Sequence, residues 1–539
     1  VTGNAPLRSA LSFSFAPSMD RGDAMIHQPD SPAAPKPAPV SSSLAPIRKQ
    51  DFGFDEARHL LWRAGFGGTP AQIQLLASWG PEKSVDYLIK FDKVPSDPGT
   101  EGFSKDIKRQ PTPEERAEQR KAALERDENK LAEIRLKVQK AEQEDREQMH
   151  KMQNWWLKRM IETPRPLEER MALFWHGHFA TSYRTIEDSW HMFAQSQMFR
   201  QHAVGSFSDL LHGIIRDPAM IKYLNNDASR KGKPNENLAR ELMELFSLGV
   251  GAYTEKDIKE GARALTGYNF RDDAFVFEKN NHDDGSKTIL GRTGKFNGED
   301  FVKIILEQPA CAKFMATKFY RFFVADYPTG RPKVDAAAQS VIRELASTFR
   351  DSKYDIGATL RRLFLSQHFY DATVRNEQIK SPVQLVVGAV RSLNCPARSL
   401  SDLNKSMDAM GQDIFYPPSV KGWDGGRGWI NSATMFIRQN VMVYLLTGRK
   451  PGGKDALAEQ EKFDAETLVK QLADVYPEVS SGTPEVIIDA FLRYAVGQTS
   501  PAGRDTLVRY VATRGGKLDG KVLTELMLLV TAMPEYQLC

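Results

Sequence analysis

Three polar clusters stand in otherwise apolar surroundings between Phe174 and Leu290: Phe174-Trp-His-Gly-His-Phe, Asn235-Glu-Asn-Leu-Ala-Arg-Glu-Leu-Met-Glu-Leu-Phe and Asn281-His-Asp-Asp-Gly. In a helix carrying the second cluster, a step of ~100° per residue puts Asn237, Arg240, Glu241 and Glu244 in one narrow sector. Leu238, Leu242, Leu245 and Phe246 then occupy another side. Glu241 and Glu244, three apart, can share a metal or hold one proton between them, with Arg240 neutralising one of them or orienting an anionic substrate. The same spacing commonly serves a solvated face of local ion pairs.

His176 and His178 are one residue apart, so on a continuous helix they project ~200° from each other. They converge only if the helix breaks at Gly177. With such a break, His176, His178 and His282 would join Glu241 and Glu244 in a mixed nitrogen and oxygen set suited to a divalent metal, zinc, iron or manganese. The alternative is one histidine packed in the core against a backbone partner and the other in solvent. Asp283 and Asp284 before Gly285 also satisfy the needs of a tight turn. A glycine-rich stretch from Phe415 to Asn431 carries Trp423, Arg427 and Trp429. These three form either a ligand-binding surface for a sugar or peptide, or a loop pinned to the body by its tryptophans. Nucleophile elbows, phosphate-binding glycine loops, zinc-protease helices and dinucleotide fingerprints do not occur.

Most segments beyond Pro164 have helical character, which predicts an all-α fold: one large multi-helix domain over residues 51–539. The exception is a β-hairpin expected at 275–290, from Phe275 and Phe277 through an Asp-Gly turn to Thr288-Ile289-Leu290. Phe54 begins an amphipathic helix closed by Gly65, and Thr69-Pro70 starts another. Thr112-Pro113-Glu114-Glu115 reads as a capping box opening a long charged helix. There Ala117, Leu124, Leu131, Val138 and Met152 share one heptad position, with Ile134, Ala141 and Trp155 on a second. Asp145 and Gln148 interrupt the seam. Residues 112–155 are therefore expected to form a protruding helical arm, paired as a hairpin or against a partner, or a solvated helix with one narrow buried stripe.

An apolar fraction of 41% in 539 residues suffices for a sizeable core, and 73 basic against 69 acidic residues leave +4, which gives no electrostatic footprint for nucleic acid. No apolar run approaches a membrane span. Residues 1–50, rich in Pro, Ala and Ser from Ser31 to Pro46, are expected to be a poorly ordered leader after a processed N-terminus. Cys311, Cys395 and Cys539 are too few for a disulfide framework. Free or buried thiols are expected, with one bridge as the alternative.

Seven segments resemble one bacterial family, catalogued as domain of unknown function 1800. They are Arg58-His-Leu-Leu-Trp-Arg-Ala-Gly-Phe-Gly, the His176 cluster, Asn235 to Gly249, Ala264-Leu-Thr-Gly-Tyr, Lys380-Ser-Pro-Val-Gln-Leu-Val, Pro417-Pro-Ser-Val-Lys-Gly-Trp and Pro534-Glu-Tyr-Gln. The resemblance runs from about Asp51 to the C-terminus and omits the arm. It implies an extracytoplasmic location, periplasmic or secreted, and a partner from a second exported family of unknown function, numbered 1501, which resembles the alkaline phosphatase and sulfatase fold. It transfers no catalytic residue. The residues thus leave two readings: a metal- or carboxylate-based site in a helical core, or a structural or assembly protein binding through its arm and Trp-rich loop.

Overall fold

A computed structural model of the protein describes residues 40–96, 102–449, 463–497 and 501–539. The leader expected over residues 1–50 lies outside them up to residue 39. From Val40 to Cys539 the chain is one compact unit. Order begins earlier than the expected Asp51. Ile47 donates to the Leu365 carbonyl at 2.7 Å and Gln367 to the Ala45 carbonyl at 2.9 Å, so a short extended segment is stitched to the body.

The described residues hold twenty-three α-helices and two small antiparallel sheets, the all-α fold expected. Local chemistry sets the helix starts. Thr69 and Thr112 each accept a hydrogen bond from the backbone three residues on, with Pro70 and Pro113 at the first helical positions, so donors that would be orphaned at a helix start are capped. The single expected hairpin is instead two. β1 (Tyr268–Arg271) pairs with β2 (Ala274–Phe277), and β3 (Lys287–Ile289) pairs with β4 (Arg292–Gly294). Asp283-Asp284-Gly285 is the connection between them. Asp283 accepts from the Gly285 amide at 2.9 Å and from Arg263 Nε at 2.8 Å, a side-chain-stabilised turn that needs no flanking strand pair.

The arm is a hairpin of the helices Pro113–Glu125 and Glu128–Glu162, tied by Lys130 to Glu118 at 2.8 Å. Its seam is only partly covered. Leu131, Ile134 and Ala141 are half-buried, whereas Ala117, Leu124 and Val138 are exposed. The interruption at Asp145 and Gln148 marks where the long helix enters the body. Asp145 accepts from Tyr183 Oη at 2.7 Å and from the Ser189 amide at 2.9 Å, and Gln148 bonds Ser104 and Ser189. Beyond that point Met149, Met152, Trp155, Trp156 and Met160 are buried.

Candidate functional site

The helix Pro166–His178 is buried on nearly every side, as a helix at the centre of a large core must be. Its two glutamates are therefore paired, and Arg170 stands over the Phe322 ring at 4.2 Å. Glu169 accepts from Trp156 Nε1 at 2.8 Å, from Arg200 Nε at 3.0 Å and from Arg159 Nε, and Arg159 Nη2 also reaches Glu168 at 3.0 Å. Burial raises the Glu169 carboxyl, and the Arg200 and Arg159 guanidiniums more than reverse it. Sequence reasoning missed this network. Its signal was three consecutive charged residues, Glu168-Glu169-Arg170, inside a segment otherwise too apolar for solvent.

The helix runs through Gly177 without a break, so His176 and His178 leave on opposite sides. His176 Nε2 accepts from the Phe415 amide at 3.0 Å, among the rings of Trp156, Phe415 and Trp423. His178 Nε2 donates to the Phe246 carbonyl at 3.0 Å, with its ring stacked on Phe174. The two imidazoles are thus opposite tautomers, assigned by their partners. Burial pushes both down to about 3, aided by Arg200 at His176 and by Lys318 at His178. The condition for convergence, a break at Gly177, is not met, and the glycine has another role. Gly422, at φ +79, lies so close that an added Cβ would sit 2.1 Å from the Gly177 carbonyl oxygen, and Trp423 packs over Gly177.

On the helix Asn237–Glu244, Arg240 binds Glu255 through both Nη atoms at 2.9 Å and reaches Glu236 at 3.3 Å, so it does not orient Glu241 or Glu244. Glu244 accepts from Tyr253 Oη at 2.6 Å. The half-buried Glu241 carboxyl is raised by burial and then by the Glu244 charge, against a smaller pull from Arg240. His282 Nδ1 bonds the Thr266 carbonyl at 2.9 Å and its ring meets Phe277.

Among the described residues no three His, Cys, Asp or Glu side chains are grouped as a metal ion would require. The expected convergence of His176, His178 and His282 with Glu241 and Glu244 is therefore not formed. Helix continuity separates the first two histidines, and each of the three histidines is engaged by a backbone partner of its own. In the glycine-rich stretch Trp429 is buried, Trp423 is half-buried against His176, and Arg427 is exposed. The adjoining Arg438 is buried, donating to the Lys380 carbonyl at 2.8 Å. The three cysteines are free and buried.

A second feature that sequence reasoning missed is Asp413, on the loop beside His176. It accepts from Gln153 Nε2 at 2.8 Å, and burial, then the Asp408 charge, push it up to about 7. Its signal in the sequence is weak, because nothing around Asp413 marks it as buried.

Comparison with known proteins gives one match. The family described as "Protein of unknown function (DUF1800)" covers residues 59–538. No curated protein and no solved structure matches the chain.

Proposed function

We propose, for a chain that belongs to this DUF1800 family, an extracytoplasmic bacterial binding or assembly protein that presents its helical arm to a protein partner. One observation carries the reading. Leu124, Leu136 and Val138 of the arm are 85%, 67% and 51% exposed, on helices that pack against each other and leave the body at Asp145. Hairpins this narrow gain most of their stability from packing of an apolar face, and exposed apolar groups rimmed by charges of both signs fit a coiled-coil or groove partner. The location and the partner, a protein of the exported family of unknown function 1501, rest on the family resemblance. No described helix is long and apolar enough to cross a membrane.

The test replaces Leu124, Leu136 and Val138 together by serine. Surface changes of this kind shift stability by about 0.5 kcal/mol each or less, so the melting curve should hold. Co-purification with a co-expressed protein of family 1501 should fall about tenfold or more, given ~1 kcal/mol per buried side chain lost. Undiminished capture by the triple variant would remove the arm from the interface. Fractionation of the producing bacterium tests the location separately.

A second reading is favoured by the raised Glu241 carboxyl. It makes Glu241 and Glu244 a carboxylate pair able to exchange a proton or, with water completing the shell, to bind zinc, iron or manganese. Elemental analysis of protein purified without chelator decides it. Stoichiometric metal that disappears in Glu241→Gln supports the metal form. Metal-free protein with unchanged content in the variant removes it.

A further inference from the structure

A cleft of about 370 Å³ opens on the side of the helix Pro309–Phe323, away from the arm and independent of the reading above. Lys313, Phe314, Thr317, Lys318 and Arg321 recur at spacings of three and four and so form one face of that helix. Leu248 and Tyr327 close the other walls. Three cations line the cleft and no carboxylate does.

Cations gathered without counter-charge repel one another, and a cleft lined by one sign of charge concentrates the opposite ion. Here none of Lys313, Lys318 and Arg321 is ion-paired among the described residues. Arg321 Nε donates to the Tyr327 carbonyl at 2.6 Å, which fixes the guanidinium and leaves its Nη groups for another acceptor. Lys318 Nζ stands 5.2 Å from the Phe314 ring centroid. Burial, then the charges of Arg321 and Lys421, lower the Lys318 ammonium to about 8, the direction expected of a cation lacking a partner. Lys421 itself is held by Asp424 at 3.0 Å.

The walls are built rather than incidental. Phe314 packs across Gly249, where an added Cβ would come within 3.1 Å of the ring, and its other neighbour is the His178 ring at 6.3 Å between centroids. The floor of the cleft is thus continuous with the buried histidine helix and with the turn that follows the Glu241 helix. Behind it, His178 Nδ1 is buried without a hydrogen-bond partner. A volume near 370 Å³ lies within the range of small-molecule clefts, ~300–1,000 Å³.

We propose that this cleft binds a small organic oxyanion, a phosphate or sulfate ester, with its charged head among Lys313, Lys318 and Arg321 and its apolar portion against Phe314 and Tyr327. The three cations supply charge-assisted hydrogen bonds to the oxygens. The rings supply the contact area that an inorganic ion would not use.

Calorimetric titration at low ionic strength with phenylphosphonate, phenyl sulfate and neutral benzyl alcohol tests this. One saturable site for an aryl oxyanion is expected, with none for benzyl alcohol. Tighter binding of phenylphosphonate assigns a phosphate ester, and tighter binding of phenyl sulfate a sulfate ester. Lys318→Met and Arg321→Gln should each weaken binding about tenfold or more, the loss of one charge-assisted bond. Lys318→Met should melt no lower than the parent without ligand, because it removes a like charge from a crowded face, whereas Arg321→Gln also gives up the bond to the Tyr327 carbonyl and is titrated well below its own melting temperature. Failure of both aryl oxyanions to bind saturably at millimolar concentration overturns the proposal. So does undiminished binding in the two variants.

Discussion

Alanine at Gly422 is expected to destabilise the protein by about 2–5 kcal/mol, from ~1–2 kcal/mol for a left-handed backbone at a residue with a Cβ and ~1–3 kcal/mol for overpacking. The added methyl would meet the Gly177 carbonyl oxygen at 2.1 Å, and a backbone oxygen inside a buried helix has nowhere to retreat. The relief left to the chain is to lift the loop, which carries Trp423 off His176 and pulls on the Phe415 amide that His176 accepts. Urea denaturation should show the loss, with a shift in tryptophan emission in the native baseline. Gly232 is the control. It has φ +80 and open space around it, so Gly232→Ala carries the backbone cost alone, ~1–2 kcal/mol. Equal losses at the two positions would mean that the close approach of Gly177 and Gly422 contributes nothing.

That contact shows where reading the sequence reached its limit. Helix starts were legible because a cap is a local event: Thr69, Thr112 and their prolines form the same hydrogen bonds whatever the rest of the chain does. The charged helices after Thr112 are legible too, and Asp145 and Gln148 mark where they meet the body, but the heptad does not carry through: a turn at Arg126, φ +54, splits the run and leaves Ala117, Leu124 and Val138 exposed. Glycine at 177 makes a helix break one of two local options, because that is the local meaning of glycine. Its use here is nonlocal, a close approach to residue 422 that no spacing announces. The Glu241 and Glu244 face was placed correctly by helical geometry, but Arg240 turned to Glu255, a partner outside that helix. The β region failed for a similar reason. Phe275 and Phe277 have strand character, and their partner is the preceding segment Tyr268–Arg271 across a turn at Asp272 with φ +51. An Asp-Gly pair further along offered a more familiar signal and drew the pairing the wrong way. The cationic face of Lys313, Lys318 and Arg321 lies on a single helix and follows from spacing, but the walls that Leu248 and Tyr327 add to it need the fold before they can be seen.

Acid should weaken this fold through its buried histidines, and the sign follows from their direction of shift. His176 and His178 are held down to about 3, so the native state keeps them neutral while the unfolded chain takes up protons below ~6.5. Their contribution is complete above pH ~6.5 and declines as pH falls toward 3, by ~1.4 kcal/mol per unit for each group. Between pH 7 and 5 the pair is worth about 4 kcal/mol. His59 shifts the same way, by burial and then by Arg63, Arg375 and Arg58. A buried carboxyl and a half-buried one oppose the trend. Asp217 and Asp413 are raised by burial to about 6 and about 7, and each gains stability as pH falls from its native value to its unfolded one. A single substitution separates the terms. Gln at position 178 can still donate to the Phe246 carbonyl and does not titrate. The cost of His178→Gln measured by urea denaturation should therefore shrink by about 2 kcal/mol between pH 7 and pH 5, while the carboxyl terms cancel in the difference. A cost that stays constant over that interval would show that His178 shares the protonation of the unfolded chain. The neutral, Nε2-protonated imidazole packed against Phe174 would then be the wrong description of the helix end that separates the two histidines.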